Sequence, residues 1–203
     1  MAKLYFRYGA MGCGKTIQLL QTAFNYEERG QKVCVIKSVT DTKHGTKLFT
    51  RIGLERDTDF VFSRRENLLR KVRQEYADVS CVLVDEAQFL TPTQVDQLMQ
   101  IVNELDIPVI CYGLRLNFRQ NDSGFEGATR LLQIAHIIEE IKTICECGHK
   151  AMCNARFLDG KLVTDGPDIL IDDGTINVEY RAICPKCYGK YKKNNISAEK
   201  PLS

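Results

Sequence analysis

The feature that most constrains this chain begins at its ninth residue. Gly9-Ala-Met-Gly-Cys-Gly-Lys-Thr16 lies between a short apolar run, Leu4–Tyr8, and a segment with apolar residues at helical spacing, Ile17, Leu20, Ala23 and Phe24, which Gly30 stops. A glycine loop between a strand and a helix lets successive backbone N–H groups turn inward as an anion nest that side chains would obstruct. The helix adds the positive end of its dipole. The string fits G-x-x-x-x-G-K-[ST], in which the lysine reaches the β- and γ-phosphates of a nucleotide and the hydroxyl of the last residue faces Mg²⁺.

A chain that starts in this way is expected to continue as alternating strands and helices. Val33–Lys37, Cys81–Glu86 and Pro108–Gly113 read as strands with nearly continuous apolar cores. Such strands belong to a parallel sheet covered on both faces. Glu66–Tyr76 reads as an amphipathic helix, and Thr91-Pro92 as an N-cap followed by proline at the first helical position of another. Ser38–Asp59 is polar and reads as one long loop, and the alternating pattern fades after about residue 144. The 203 residues carry a net charge of +2, which gives bulk electrostatics no reason to favour nucleic acid or a membrane surface. No apolar run reaches the ~20 residues that span a bilayer. The first residues lack a signal-peptide pattern, so a cytoplasmic location is expected.

The second half of a nucleotide site is an acid at the end of a hydrophobic strand. "VLVDE" supplies Asp85, expected on the Mg²⁺ side, and Glu86, placed where the strand ends and free to turn towards a nucleophile. These residues leave the attacking group open. Water would make the chain an ATPase or switch, and a substrate hydroxyl would make it a kinase. A DNA-dependent ATPase with a RecA-like core and a zinc ribbon explains the loop and the acids equally well, but it calls for a basic track that the near-neutral charge does not suggest. A nucleotide-binding partner protein without chemistry would have no need of Glu86.

Nine cysteines are many for a cytosolic chain, where disulfides are rare. Cys34, Cys81 and Cys111 sit in aliphatic runs and read as small buried hydrophobes. Cys13, in the glycine loop before the helix N-terminus, is a candidate reactive thiol that ATP would protect. Cys145-x-Cys147 and Cys184-x-x-Cys187 form two knuckles whose four thiolates suit a closed, structural, tetrahedral Zn²⁺ site. His149 and Cys153 are lesser alternatives as ligands.

Five separated stretches then agree in order: "GAMGCGKT", "VLVDEAQF", "YGLRLNF", "TICECGHKA" and "YRAICPKCY". Together they resemble the type II thymidine kinases over almost the whole chain. The resemblance implies a RecA-like P-loop domain with a parallel sheet, residues 1–144, and a small zinc-binding domain, 145–192, whose lasso loop covers the nucleoside. A polar tail, 193–203, is expected to be disordered. It implies transfer of the γ-phosphate of ATP to the 5′-hydroxyl of thymidine, and of deoxyuridine, in nucleotide salvage. Mg²⁺ would accompany ATP, Zn²⁺ would be structural, and the assembly would be a homotetramer inhibited by thymidine triphosphate, with no nucleic-acid or membrane partner.

The resemblance also carries residue roles. Glu86 would be the general base. Gly9, Ala10, Met11, Gly12, Cys13, Gly14, Lys15 and Thr16, with Asp85, Glu86, Ala87 and Gln88, would bind ATP, and Thr16 and Asp85 would hold magnesium. Met11, Phe89, Leu114, Phe118, Phe125 and Tyr180 would enclose the nucleoside, and Arg51 is a candidate phosphate clamp. Arg115 matches the family's "GLR". Three departures stand out. Lys43 follows Asp41-Thr42 where an arginine is usual, and a lysine cannot make the same bidentate contact. Asn121–Gly127 is longer than usual. Asp172-Asp173-Gly174 stands where the lasso often carries paired glycines, which bears on base selectivity rather than on phosphotransfer.

Overall fold

A computed structural model describes residues 1–40, 45–119, 124–166 and 177–194. Asp41-Thr42-Lys43, residues 121–123 of the lengthened loop, Asp172-Asp173-Gly174 and the tail from residue 195 lie outside the described residues. The contacts divide the chain into two units. One comprises Met1–Tyr8, Gly14–Arg115 and Phe125–Ile141. The other comprises Gly9–Cys13 and the described parts of Leu116–Gly124 and Lys142–Ser203.

The first unit contains, in chain order, β1 (Leu4–Gly9), α1 (Lys15–Glu27), β2 (Val33–Ser38), β3 (Lys47–Phe49), β4 (Glu55–Asp57), β5 (Phe60–Phe62), α2 (Leu68–Glu75), β6 (Cys81–Asp85), α3 (Pro92–Leu105), β7 (Val109–Gly113), α4 (Glu126–Ile134) and β8 (Ile137–Ile141). Six strands form a sheet in the order β5-β2-β6-β7-β1-β8. The pairings β5–β2, β2–β6, β6–β7 and β7–β1 are all parallel. Strand side chains alternate between two cores. Cys34, Ile36, Val82, Val84 and Cys111 pack with Leu68, Val95, Leu98 and Leu131 of α2, α3 and α4. Val33, Val35, Cys81, Leu83 and Ile110 pack with Leu19 and Ala23 of α1. The period of two distributes the apolar run to both faces. Cys34, Cys81 and Cys111 are fully buried as expected, and burial pushes the Cys81 thiol up to about 12. Thr91 closes a reciprocal capping box with Gln94, with Pro92 opening α3.

The long loop expected over Ser38–Asp59 contains an antiparallel hairpin of β3 and β4. Its strands are three residues each, and five of the six residues are polar or exposed, so no apolar alternation marks them. β8 escapes for a related reason. Its sequence, IIEEI, is a partly exposed edge with acids at its centre.

The second unit holds β9 (Thr143–Ile144), β10 (Lys150–Ala151), β11 (Cys153–Leu158), β12 (Lys161–Val163), β13 (Val178–Ile183) and α5 (Pro185–Asn194). β12-β11-β13 is an antiparallel sheet, and β9 pairs with β10. Its core contains Cys145, Ala151, Cys153, Ala155, Phe157, Ile183, Cys184 and Tyr188. The fading pattern past residue 144 was therefore a change from parallel to antiparallel architecture. α5 starts on Pro185, directly after Cys184, and runs two residues into the stretch expected to be tail. No helix among the described residues is long and apolar enough to cross a membrane.

The start of α4 lies against the turn that follows β6. A β-carbon on Gly127 would stand 2.4 Å from the Leu90 carbonyl oxygen and 3.0 Å from that of Ala87. Nothing lies within 4 Å of the corresponding position on Gly189 in α5. Gly127→Ala should therefore destabilise the protein by about 1–3 kcal/mol in denaturant titration, and Gly189→Ala should stabilise α5 by roughly 0.5–1 kcal/mol. Equal midpoints for the two variants would contradict this packing.

Candidate active site and metal centre

The glycine loop has the backbone its composition demands. Gly12 and Gly14 have φ of 71° and 86°, the left-handed region that a β-carbon makes costly. Gly14 is the N-cap of α1, and no side chain caps that helix end. No capping side chain thus competes with an anion for that helix end. Lys15 is only 7% exposed, and its charge acts on Asp85.

Asp85 ends β6 in a buried position. The Thr16 hydroxyl donates to its Oδ2 at 3.0 Å, while Oδ1 is buried with no hydrogen-bond partner among the described residues. Burial and the neighbouring Glu86 carboxylate push the Asp85 carboxyl up to about 7, against the opposing pull of Thr16 and Lys15. An unpartnered buried carboxylate oxygen beside a hydroxyl is the donor set of a hard divalent cation, so Thr16 and Asp85 fit magnesium on chemical grounds.

Glu86 leaves the strand abruptly, at φ 51° and ψ 40°, and opens a single 3-10 turn, Ala87–Phe89. Left-handed backbone is uncommon for a non-glycine residue and concentrates at functional positions. It swings Glu86 away from the alternation that would set it on the face opposite Asp85. Gln88 is buried, and its amide is committed at both ends. Its Oε1 accepts the Leu114 N–H at 2.9 Å, and its Nε2 donates in a short hydrogen bond to Glu86 Oε2. The resemblance assigns Gln88 to ATP, and nothing in the sequence marks this strut. Phe89 and Phe125 meet edge to face at 5.7 Å, and Leu114 is half-buried beside the same turn. Arg51 is exposed in the turn between β3 and β4.

In the second unit, Phe118 is buried with the Arg156 guanidinium 3.5 Å above its ring centroid. Tyr180 is the register partner of Arg156 and lies 5.4 Å from it. Met11 donates its backbone N–H to Asn154 Oδ1. Asn154 and Arg156 were missed by sequence reasoning. The available signal was two polar residues of low strand propensity inside the otherwise apolar run "CNARFL".

The Sγ atoms of Cys145, Cys147, Cys184 and Cys187 all lie within 4.8 Å of one another. Tetrahedral zinc with Zn–S bonds of about 2.3 Å sets its sulfurs about 3.8 Å apart, so the cluster fits such an ion. Cys147 and Cys184 sulfurs are 3.5 Å apart. The His149 backbone amide and imidazole pull the Cys147 thiol down to about 6, and the adjacent Cys147 pushes Cys187 up to about 12. Thiols this close compete for charge, and a bound cation would favour the thiolate of each. Cys153 is buried on β11 outside this group of four, and His149 is exposed beside Cys147.

Comparison with known proteins adds to the geometry. The family model described as "TK: Thymidine kinase" matches residues 2–188. A "Thymidine kinase" of Francisella tularensis subsp. holarctica is 45% identical over 192 residues, covering 92% of this chain and 96% of its own. Those of Chromobacterium violaceum and Lactiplantibacillus plantarum are 43% and 44% identical, each over 93% of this chain and 98% and 96% of their own. Among solved structures, AMPPCP-bound DnaA from Aquifex aeolicus superposes on 70% of this chain and 41% of its own at 21% identity, with a TM-score of 0.42.

Removing one sulfur should separate the ligands from the bystander. Cys184→Ser should drop bound zinc from about one ion per chain to near none and lower the melting temperature, since structural zinc contributes folding free energy. Cys153→Ala should keep its zinc. Elemental analysis of the purified variants reads both, and a zinc-free Cys153→Ala would overturn the ligand set.

Proposed function

The chain belongs to the thymidine kinase family, and from that premise we propose that it transfers the γ-phosphate of ATP to the 5′-hydroxyl of thymidine, and of deoxyuridine, in nucleotide salvage. The observation that carries the mechanism is Glu86 turned out of β6 one residue after the buried Asp85, with one carboxylate oxygen held by Gln88. In our reading the Glu86 carboxylate accepts the 5′-hydroxyl proton as the sugar oxygen bonds to the γ-phosphorus. The bond from that phosphorus to the β,γ-bridging oxygen breaks, and ADP departs with the electron pair. Lys15 and the amides of the glycine loop neutralise charge on the transferred group. Magnesium, when bound, would supply further neutralisation of phosphate charge, and Thr16 and Asp85 would hold it. Zinc held by Cys145, Cys147, Cys184 and Cys187 would be structural.

Gln88 is then a positioning residue, since its buried side-chain amide bridges Glu86 and the Leu114 backbone. On the family pattern we assign the nucleoside contacts to Met11, Phe89, Leu114, Phe118, Phe125 and Tyr180, with Arg51 as phosphate clamp. We read residues 1–144 as the kinase domain, 145–192 as the zinc and lasso domain, and the protein as a cytoplasmic homotetramer that does not engage nucleic acid.

An assay with labelled ATP against thymidine, deoxyuridine, deoxycytidine and the purine deoxynucleosides tests the reading. A nucleoside monophosphate is expected with thymidine, and its absence with every acceptor would refute it. Glu86→Gln should lower kcat by about 10²–10⁴-fold while retaining ATP binding. Gln88→Leu should lower kcat by roughly tenfold with KM little changed, because it frees the Glu86 carboxylate without removing it. Wild-type turnover in Gln88→Leu would remove the strut from the mechanism.

A further inference from the structure

β11 is buried on both faces, and its two faces differ in kind. Cys153, Ala155 and Phe157 enter the core that contains Cys145 and Cys184. Asn154 and Arg156, the intervening residues, are 3% and 1% exposed, although a polar side chain buried in a strand is costly unless it is bonded. Asn154 is bonded in two directions. Its Oδ1 accepts the Met11 N–H at 2.8 Å, and its Nδ2 donates to the Leu116 carbonyl at 2.7 Å. The assignment of oxygen and nitrogen follows from the partners, since an amide N–H requires an acceptor and a carbonyl requires a donor. An amide is the short side chain that satisfies both at once. Aspartate lacks the donor when ionised, and an aliphatic residue would leave two backbone groups unpaired.

The same unit holds the Leu116 segment at further points. The Tyr188 hydroxyl donates to the Phe118 carbonyl at 3.1 Å, and Arg156 lies on the Phe118 ring. Tyr188 directly follows Cys187 and belongs to the core that contains Cys145 and Cys184. Met11 is the residue before Gly12 in the glycine loop.

We propose that Asn154 is a positioning residue for both substrates: through its amide, β11 sets the backbone of Met11 in the glycine loop and that of Leu116 in the segment after β7. This goes beyond the roles assigned above, and it rests on the proposed kinase reading only where KM for thymidine is the readout. The amides of the loop bind phosphate by their direction, so loosening Met11 weakens ATP binding without removing a charged group. Loosening Leu116 disturbs the segment that carries Phe118, a proposed nucleoside contact. The loss therefore falls on binding of both substrates rather than on the proton transfer.

The test uses the full-length protein with Asn154→Leu, which keeps the branching of the side chain and removes both hydrogen bonds, and Asn154→Asp, which keeps the acceptor towards Met11. Titration of a fluorescent ATP analogue, KM and kcat for ATP and thymidine, zinc content and melting temperature are read together. Asn154→Leu should weaken analogue binding and raise both KM values by about tenfold, with kcat within about threefold of wild type. Asn154→Asp should fall between the two. Zinc content and melting temperature should remain near wild type in at least the aspartate variant. Unchanged analogue affinity in Asn154→Leu would overturn the proposal. So would loss of zinc or of fold in both variants, which would make Asn154 a core residue only. If wild type failed to phosphorylate thymidine, the kinase reading would fall while the analogue titration still decided the role of Asn154.

Discussion

Parallel pairing of β1, β7 and β6 is the constraint on which the proposed nucleotide site depends. The registers set Tyr8 opposite Gly113, and Val84 opposite Cys111, so three strands run in one direction and finish at one edge of the sheet. Each strand then delivers residues of the proposed site there. β1 leads into the glycine loop, β6 ends at Asp85 and Glu86, and β7 ends before Leu114. In an open parallel sheet the carboxyl ends are where ligands bind, because helices cover the faces and the loops converge at that edge. One strand reversed would carry its chemistry to the opposite edge.

That arrangement demands compensation. Burying Asp85 next to Glu86 pushes its carboxyl up to about 7, against the pull of the Thr16 hydroxyl, the Glu86 backbone N–H and Lys15. Glu86 adds a left-handed backbone, a strain on the order of 1–3 kcal/mol. The strained turn persists because its surroundings over-determine it. Ala87, Gln88 and Leu90 are buried, Gly127 approaches their carbonyls too closely for any β-carbon, and Gln88 ties the turn to Leu114. Stability held in the packing of α2, α3 and α4 thus keeps a carboxylate in a conformation it would not adopt alone.

The second unit is organised by a different economy. Its sheet is small and antiparallel, and four clustered thiols stand where a larger core would otherwise be needed. β11 carries the cysteine core on one face and Asn154 and Arg156 on the other. A strand of six residues thereby relates the cysteine cluster to the start of the glycine loop.

What the sequence determined alone was everything written in contiguous residues. The glycine loop, the acids after an apolar strand, the capped helix at Thr91-Pro92 and the paired cysteines each carry their chemistry in a span of a few residues, and their order over the chain marks the family. The short strands β3, β4 and β8 were illegible because they are brief and mostly exposed or polar, leaving no apolar period to read. Tertiary structure alone decided which way Glu86 turns, that Gln88 faces inward, and that Asn154 meets Met11 across 143 residues of chain. The physical reason is the same in each case. A buried polar side chain is defined by the partner that satisfies it, and those partners come from distant segments that only folding brings within a hydrogen bond.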